Sequence, residues 1–205
     1  LGLRKPHLME FARLSIQGMP VSKRLILPLV MNGSVSGFDD IRLPTLRGLK
    51  RRGIVPQALK EFVFHQGISK VESTVPFSLV ESENRKIIDP LAKRFYFVPD
   101  PVKVEVTDAS EKTVSIPFHP QDENLGSRSL NAGKKFYIPQ SDVDQLRQSS
   151  VFRLKDLFNV TVDSIQNNKI IGRYAGEDLI ADSLKVQWVS NDYIPLTVLV
   201  PDVLF

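Results

Sequence analysis

The 205-residue sequence contains no cysteine. This absence excludes disulfide bonds and cysteine-based zinc sites, so no disulfide partner is expected. The three histidines are too scattered along the chain to indicate a metal site, and we expect none. No apolar run approaches the roughly 20 residues that a membrane-spanning helix needs, so no membrane partner is expected. A chain with these absences is expected to be cytoplasmic.

The sequence also lacks the motifs of a complete active site. It has no phosphate-binding glycine-rich loop, no H-E-x-x-H zinc motif and no nucleophile elbow. The N-terminus has neither the apolar stretch of a signal peptide nor an initiator methionine. The missing methionine indicates a chain cut from something longer.

Positive charge is concentrated in the first part of the chain. The net charge is +4 with a pI of about 9.3. Residues 1–60 hold eleven lysines or arginines against three acidic residues, so this part carries +8 and the remainder −4. A polyanionic partner facing the first third is the physical interpretation of this asymmetry. Charge alone leaves open a solvated surface on which charges are sorted by chance.

Proline and glycine divide the first half into short helices. The alternation in Phe11–Ile16 predicts a strand. Helices are then predicted from Pro44 to a stop at Gly53, from Pro56 to a stop at Gly67, and from Pro76 to a disturbance at Asp89. Helices this short with brief connections predict one compact helical unit.

After residue 93 the pattern changes to short runs of β-forming residues. Gly, Pro, Asn and Asp separate these runs, several of which alternate with period two. The predicted strands are Arg94–Val98, Val102–Thr107, Thr113–Phe118, Lys135–Ile138, Val151–Leu154, Phe158–Val162, Lys169–Tyr174, Leu184–Val189 and Leu196–Val200. Many short strands with little helix indicate an antiparallel barrel or sandwich, with one short helix at Ser141–Gln148.

Three groups of basic residues are candidates for binding. Val21–Arg24 is predicted to be an exposed loop that could bring a lysine ammonium onto phosphates, or simply a basic surface loop. A second group straddles one predicted helix: Arg42, Arg47, Lys50, Arg51 and Arg52. Cations there suit phosphate contacts, although one or two would also complement the helix dipole.

The third group lies on predicted strands of the second half. Arg94, Arg153 and Lys155 are interleaved with aromatic residues at 95–97 and 152. Single-stranded RNA is bound by aromatic rings that stack on bases and by cations that contact bases and phosphates. Most aromatics at strand spacing are nevertheless core residues, because alternate side chains point inward.

At these residues the chain resembles the class I aminoacyl-tRNA synthetases of the glutamyl and glutaminyl type. Val21–Arg24 is similar to the second half of their K-M-S-K-S motif, and Gly37–Gly53 to their G-W-D-D-P-R-x-P-T-x-x-G-L-x-R-R-G stretch. Further matches are Glu83–Arg85, Asp100–Lys103, His119–Pro120, Gly126–Arg128, Trp188–Ser190 and Asp202–Phe205. The resemblance covers essentially the whole chain and favours the archaeal glutamyl branch.

The resemblance implies an α+β fold and a role for each group. A small helical bundle is followed by an antiparallel β-barrel that binds the anticodon, with a catalytic tail at 1–24, a helical tRNA-contacting part at 25–92 and the barrel at 93–205. Ser22, Lys23 and Arg24 would form the ATP loop, with Lys23 catalytic. The Arg42–Arg52 group would contact the tRNA backbone. Arg94, Arg153 and Lys155 would contact the anticodon.

The resemblance further implies that the whole enzyme activates glutamate with ATP and Mg²⁺ and charges tRNA. This fragment lacks the nucleotide-binding fold, so it is expected to bind tRNA without catalysing and to hold no cofactor by itself. Pro20 and Val21 replace the leading Lys-Met of the motif, and Lys155 replaces an arginine. A fragment of a glutaminyl enzyme and a non-enzymatic RNA-binding barrel remain alternatives. Glutamate or glutamine specificity, oligomeric state and any barrel after residue 205 stay undecided.

Overall fold

The computed structural model describes residues 4–148, 150–166 and 169–204. Their backbone forms two compact units. The first contains the described residues up to Leu91 together with Thr197–Leu204, and the second contains Ala92–Leu196. Helices are concentrated in the first unit and strands in the second, which confirms the predicted α+β class. The predicted boundaries at 1–24, 25–92 and 93–205 stay a prediction.

Short helices and one small parallel sheet build the first unit. The helices are α1 (Lys23–Met31), α2 (Leu46–Arg51), α3 (Pro56–Gln66) and α4 (Ser78–Ile88). The strands β1 (Leu14–Ile16) and β2 (Ser73–Val75) pair in parallel. Within the described ranges, no helix combines the length and the apolar character needed to cross a membrane.

The predicted helix boundaries are confirmed best where proline and glycine define both ends. Helix α3 begins at Pro56 and ends before Gly67, whose φ of 68° suits glycine. Helix α2 begins at Leu46 and not at Pro44, because the Thr45 hydroxyl caps it and accepts the Gly48 N–H at 3.0 Å. Helix α4 begins two residues after the proline that was expected to open it.

Two hydrophobic clusters hold the first unit together. One joins α2, α3, α4 and β2, and its buried residues are Leu49, Ile54, Ala58, Phe62, Val75, Phe77 and Val80. The other is formed by Ile26 of α1 with Val35 and Leu43, and Leu204 packs against it. Leu204 therefore contributes to the packing of the first unit, a contact that the sequence did not predict.

A six-stranded sheet builds the second unit. Its strands are β3 (Pro101–Val106), β6 (Lys135–Pro139), β7 (Val151–Leu154), β8 (Asn159–Gln166), β9 (Lys169–Tyr174) and β10 (Leu184–Val186). They are hydrogen-bonded in the order β10-β7-β8-β9-β3-β6. Tyr137 of β6 exchanges backbone hydrogen bonds with Val189, just after β10, at 2.9 and 3.0 Å. This contact nearly closes the sheet into the predicted barrel.

The strand pairing is mixed. The pairs β3–β6, β7–β8 and β8–β9 are antiparallel, as predicted, whereas β7–β10 and β3–β9 are parallel. Beside this sheet, β4 (Lys112–Pro117) and β5 (Ser127–Ala132) form an antiparallel hairpin. Strand β5 was missed because its residues, SRSLNA, are mostly polar.

Three local predictions for the second half of the chain were wrong. Arg94–Val98 and Leu196–Val200 belong to no strand. The helix expected at Ser141–Gln148 is only α5 (Gln140–Val143), preceded by Pro139 and not capped by Ser141. The β-forming composition of the first two segments is real, but a strand also needs a hydrogen-bonded neighbour, which sequence alone does not supply.

Alternating side chains form the barrel core. Val102, Val104 and Val106 of β3 are all buried while the residues between them are not. Trp188 is fully buried, with its ring centroid 5.3 Å from that of Phe136. The Trp188 indole N–H donates to the Lys155 carbonyl at 2.9 Å, which satisfies its polar group.

Candidate nucleic-acid interface

The first predicted site lies at the start of α1. Ser22 is extended (φ −118°), and its carbonyl accepts the N–H groups of Leu25 and Ile26, both at 3.0 Å. Lys23 and Arg24 are therefore residues of the first helical turn, and the prediction of a loop there was wrong. The buried side chain of Ile26 anchors this turn to the core.

Both cations of this turn are exposed. Among the described residues, neither Lys23 nor Arg24 has an ion-pair partner. Cations at a helix N-terminus oppose the helix dipole, and an anion placed there would be stabilised by the dipole and by free backbone N–H groups. The turn can therefore accept a phosphate.

Arg42 is held by a buried carboxylate. Its Nε and Nη2 donate to Asp40 at 3.0 and 2.9 Å, and Nη2 also donates to the Ser34 carbonyl at 3.0 Å. Asp40 additionally accepts the backbone N–H groups of Ser36 and Arg42, each at 3.0 Å. These hydrogen bonds, above all from the Arg42 side chain, hold the pKa of Asp40 well below its ordinary value, although burial opposes them. The guanidinium of Arg42 thus stabilises the loop before α2.

Arg52 is likewise bound within the first unit. Its guanidinium pairs with Glu81 of α4 and lies 4.1 Å from the centroid of the Phe77 ring. Nearby, buried Asn84 accepts the Val55 N–H at 2.9 Å and donates to the Gly53 carbonyl at 3.2 Å. These contacts tie the C-terminal end of α2 to α4. Arg52 serves first as a link between elements.

The remaining cations of α2 face solvent. Arg47 and Lys50 are exposed, and no ion-pair partner is found for either among the described residues. Arg51 pairs with exposed Asp39 at 3.2 Å, a contact that water weakens and that an incoming phosphate can replace. Of the five cations predicted to contact tRNA, these three are the ones available to a polyanion.

The third predicted group is divided by the barrel. Arg94 lies in the segment before β3, where its backbone N–H donates to the Phe118 carbonyl at 2.7 Å. Lys155 follows β7, and its Nζ lies 5.8 Å from the centroid of the Tyr96 ring. Arg94 and Lys155 therefore belong to one neighbourhood, which Tyr96 connects.

Arg153 points elsewhere. Its Nη1 donates to the Asn159 side chain at 3.1 Å and to the Glu177 carbonyl at 2.9 Å. The same asparagine donates to the Asp178 carbonyl at 2.7 Å. These contacts fix the segment after β9 against β7 and β8, so that much of the donor capacity of the guanidinium is used inside the protein.

Sequence reasoning missed Arg128, which lies at the centre of an aromatic cluster. Its guanidinium carbon is 4.8, 5.4 and 5.7 Å from the ring centroids of Tyr96, Phe95 and Phe118. Its Nη1 donates to the Arg94 carbonyl at 2.6 Å. The sequence signal was the Gly126–Arg128 match, which carried no indication of the rings around it.

The aromatic rings of this cluster are partly exposed. Phe95 and Phe97 are 64% and 46% exposed, so their rings are open to contact from solvent. Burial and a hydrogen bond to Asp156 raise the pKa of the Tyr96 phenol, so it stays a neutral donor. A cleft of about 510 Å³ borders the cluster and is also lined by Tyr137 and Tyr193. Exposed rings beside cations can stack on and pair with the bases of unpaired RNA.

Two family models match the chain. Residues 92–176 match the anticodon-binding domain of tRNA synthetases class I (E and Q). Residues 1–90 match the catalytic domain of the same group. The first match falls within the barrel unit and the second within the helical unit, so each compact unit has its own counterpart in one family.

Archaeal proteins named glutamate–tRNA ligase are similar to nearly the whole chain. The relative from Cenarchaeum symbiosum (strain A) is 39% identical over 202 residues, which are 98% of this chain and 35% of the relative. Those from Nitrosopumilus maritimus (strain SCM1) and Pyrococcus abyssi are 36% and 37% identical and cover 100% and 98% of this chain. The chain spans about 36% of the length of either relative.

Both units thus match domains of one enzyme family, in the order in which the sequence motifs predicted them. The catalytic-domain match over residues 1–90 shows that the chain contains more than an RNA-binding barrel. The chain belongs to the class I tRNA synthetases of the E and Q group, of which it contains the anticodon-binding domain and part of the catalytic domain.

Proposed function

We propose that this chain is the tRNA-binding part of an enzyme that joins glutamate to its tRNA. The observation that carries the proposal is the match of the barrel unit to an anticodon-binding domain, on a surface where exposed rings adjoin cations. The relatives' printed name, glutamate–tRNA ligase, supports glutamate over glutamine. The whole enzyme would consume ATP, with Mg²⁺, to activate the amino acid.

Each unit has a distinct task in this proposal. Arg47, Lys50 and Arg51 of the first unit bind phosphates of the tRNA backbone and are indifferent to sequence. Arg94 and Lys155 of the barrel, with the exposed rings beside them, bind the unpaired bases of the anticodon loop. Base contacts supply the sequence preference that phosphate contacts cannot.

Ser22, Lys23 and Arg24 form the proposed ATP loop. An ammonium at the first turn of α1 can reach the phosphates of ATP and stabilise the charge that develops on them during activation. Lys23 is the proposed catalytic residue, and its exposure at the helix start supports that role.

Arg42, Arg52 and Arg153 have a different role in this proposal. Their guanidinium groups are engaged by Asp40, by Glu81 and by main-chain carbonyls, respectively. We propose that these arginines support the binding surfaces from within, and that any contact they make with tRNA is secondary.

Binding of the 205-residue chain to fluorescently labelled tRNA transcripts tests the proposal. Anisotropy titrations compare a transcript with a glutamate anticodon and one with that anticodon replaced. We expect affinity in the micromolar range or weaker, a preference for the first transcript, and a steep loss of affinity as salt rises. Absence of any preference together with no salt dependence would contradict the proposal.

The phosphate-binding role of α2 has a charge-matched control. Arg47→Ala with Lys50→Ala removes two unpaired exposed cations. Lys70→Ala with Lys86→Ala removes two exposed cations of the same unit that already pair with Glu10 and Glu83. The first double variant should weaken the binding of both transcripts equally. It should also lower the slope of log affinity against log salt concentration by one to two units, roughly 0.7–0.9 for each lost phosphate contact. The control should change neither the affinity for the transcripts nor this slope.

A further inference from the structure

The segment that carries Arg94 has little regular structure of its own. Residues 93–98 belong to no helix or strand. Two of their backbone N–H groups find partners outside the segment: Arg94 donates to the Phe118 carbonyl at 2.7 Å, and Phe97 to the Gln187 side chain at 3.3 Å. A backbone without a continuous ladder needs other contacts to fix its position.

Arg128 supplies several of those contacts at once. It donates to the Arg94 carbonyl at 2.6 Å and lies against the rings of Phe95, Tyr96 and Phe118. Phe118 in turn packs on Phe95, with ring centroids 5.3 Å apart. A guanidinium so placed holds the backbone on one side and the rings on the other.

The position of Arg128 is itself fixed by the barrel. It lies on β5 directly opposite Ile116 of β4, and Ile116 is buried in the barrel core. The side chain of Arg128 is half-buried, and the described residues give it no carboxylate partner. Its charge is balanced by a carbonyl and by ring faces, all of which belong to or adjoin the Arg94 segment.

We propose that Arg128 is a positioning residue, which aligns Arg94 for the anticodon without contacting the RNA base itself. The inference rests on the proposed function, in which Arg94 binds an anticodon base. Without Arg128 the segment keeps its sequence but loses the hydrogen bond and ring contacts that orient it. Arg94 then still attracts RNA by its charge, but it no longer distinguishes one base from another.

The test measures discrimination, which is the ratio of the affinities of the 205-residue chain for the glutamate-anticodon transcript and the anticodon-replaced transcript. Arg94→Ala and Arg128→Met should each lower this ratio by about ten-fold, the size expected when a good base contact is lost. The double variant should lose no more discrimination than either single variant, because both substitutions act through the same contact of Arg94 with the base. Arg128→Lys, which keeps the charge and a donor, should retain part of the discrimination.

Arg173→Met is the matched control. Arg173 lies on β9 of the same unit, is exposed, and pairs with Asp163 at 3.0 Å. Its replacement removes the same charge with the same new side chain. It should lower neither the discrimination nor the affinity by a comparable factor.

A local structural measurement separates positioning from direct contact. Trypsin cleaves after Lys93 and Arg94, and cleavage there should be several-fold faster in Arg128→Met than in the unaltered chain. Thermal unfolding followed by the fluorescence of Trp188 should show the barrel still folded. If Arg128→Met does not fold, Arg128→Lys provides both the binding and the cleavage test.

The failures are distinguishable. If the unaltered chain binds both transcripts equally, the proposed anticodon recognition is wrong and this inference falls with it. If the unaltered chain discriminates, Arg94→Ala abolishes discrimination and folded Arg128→Met keeps it, then Arg128 has no positioning role. Equal weakening of both transcripts by Arg128→Met, with additive losses in the double variant, would show a phosphate contact and would overturn the inference.

Discussion

Replacing Asp40 by asparagine removes a buried negative charge while preserving the size of the side chain. Asp40 is 5% exposed, and its carboxylate accepts hydrogen bonds from the backbone and hydroxyl of Ser36 and from the backbone and guanidinium of Arg42. An asparagine amide presents one oxygen and one N–H₂ group, so some of these donors would face another donor. The first unit should therefore unfold more easily.

The size of the loss follows from the geometry. Breaking one partner of a buried ion pair costs about 3–5 kcal/mol, because a charge is left without compensation. The Arg42 side chain is 34% exposed, so water can solvate part of its freed charge. We therefore expect Asp40→Asn to lower the free energy of unfolding by about 3 kcal/mol at pH 7, at the low end of that range.

The effect should depend on pH in one direction. The folded-state pKa of Asp40 lies below its ordinary value, so its charge contributes to stability above the unfolded-state pKa of about 3.9. That contribution is lost as the pH falls from about 4 towards the folded-state pKa. The difference between the two proteins should be constant between about pH 5 and 7 and shrink below about pH 4.

Urea denaturation followed by circular dichroism at helical wavelengths measures this difference, because the longer helices lie in the first unit. Trp188 fluorescence follows the barrel separately. Asp39→Asn is the matched control, since Asp39 is exposed and pairs with Arg51 at the surface. A loss under about 1 kcal/mol at pH 7, or a difference that does not change between about pH 5 and 3, would refute the reasoning.

Other variants test the packing around the candidate interface. Gly48→Ala should destabilise the first unit by more than about 2 kcal/mol despite the helix preference of alanine, because a Cβ would lie 2.6 Å from the carbonyls of Asp40 and Leu43; thermal unfolding measures it. Arg52→Met should lower the stability of the first unit by about 1 kcal/mol in the same assay, because Arg52 no longer pairs with α4. It should weaken tRNA binding less than the Arg47→Ala, Lys50→Ala double variant does. In a spectrophotometric titration, the unaltered chain and Tyr96→Phe should coincide up to about pH 11, since the pKa of Tyr96 is raised.

Local chemistry made much of the fold predictable. Pro56 and Gly67 define both ends of α3 because a proline lacks the N–H that a first helical turn does not need, and because glycine tolerates a φ of 68°. The alternation in β3 indicated its buried face correctly. Where a polar hairpin strand such as β5 depends on its partner, the pattern was too weak to find it.

The candidate site was only partly predictable for the same reason. The sequence located a dense cationic group and an aromatic segment before β3, and the barrel unit does place rings beside Arg94. It could not separate exposed cations from those already engaged. Arg52 meets Glu81 29 residues away, and Arg128 meets the Arg94 carbonyl 34 residues away.

The sequence by itself determined the family, the positions of most helices and strands, and the excess of positive charge in residues 1–60. These depend on residue type and on spacing along the chain, which a linear pattern contains. Only the tertiary structure decided that Arg42, Arg52 and Arg153 are bound within the protein while Arg47 and Lys50 face solvent. A side chain's charge becomes available to a ligand or is neutralised according to which distant groups the fold brings within hydrogen-bonding distance, and that distance is a property of the fold.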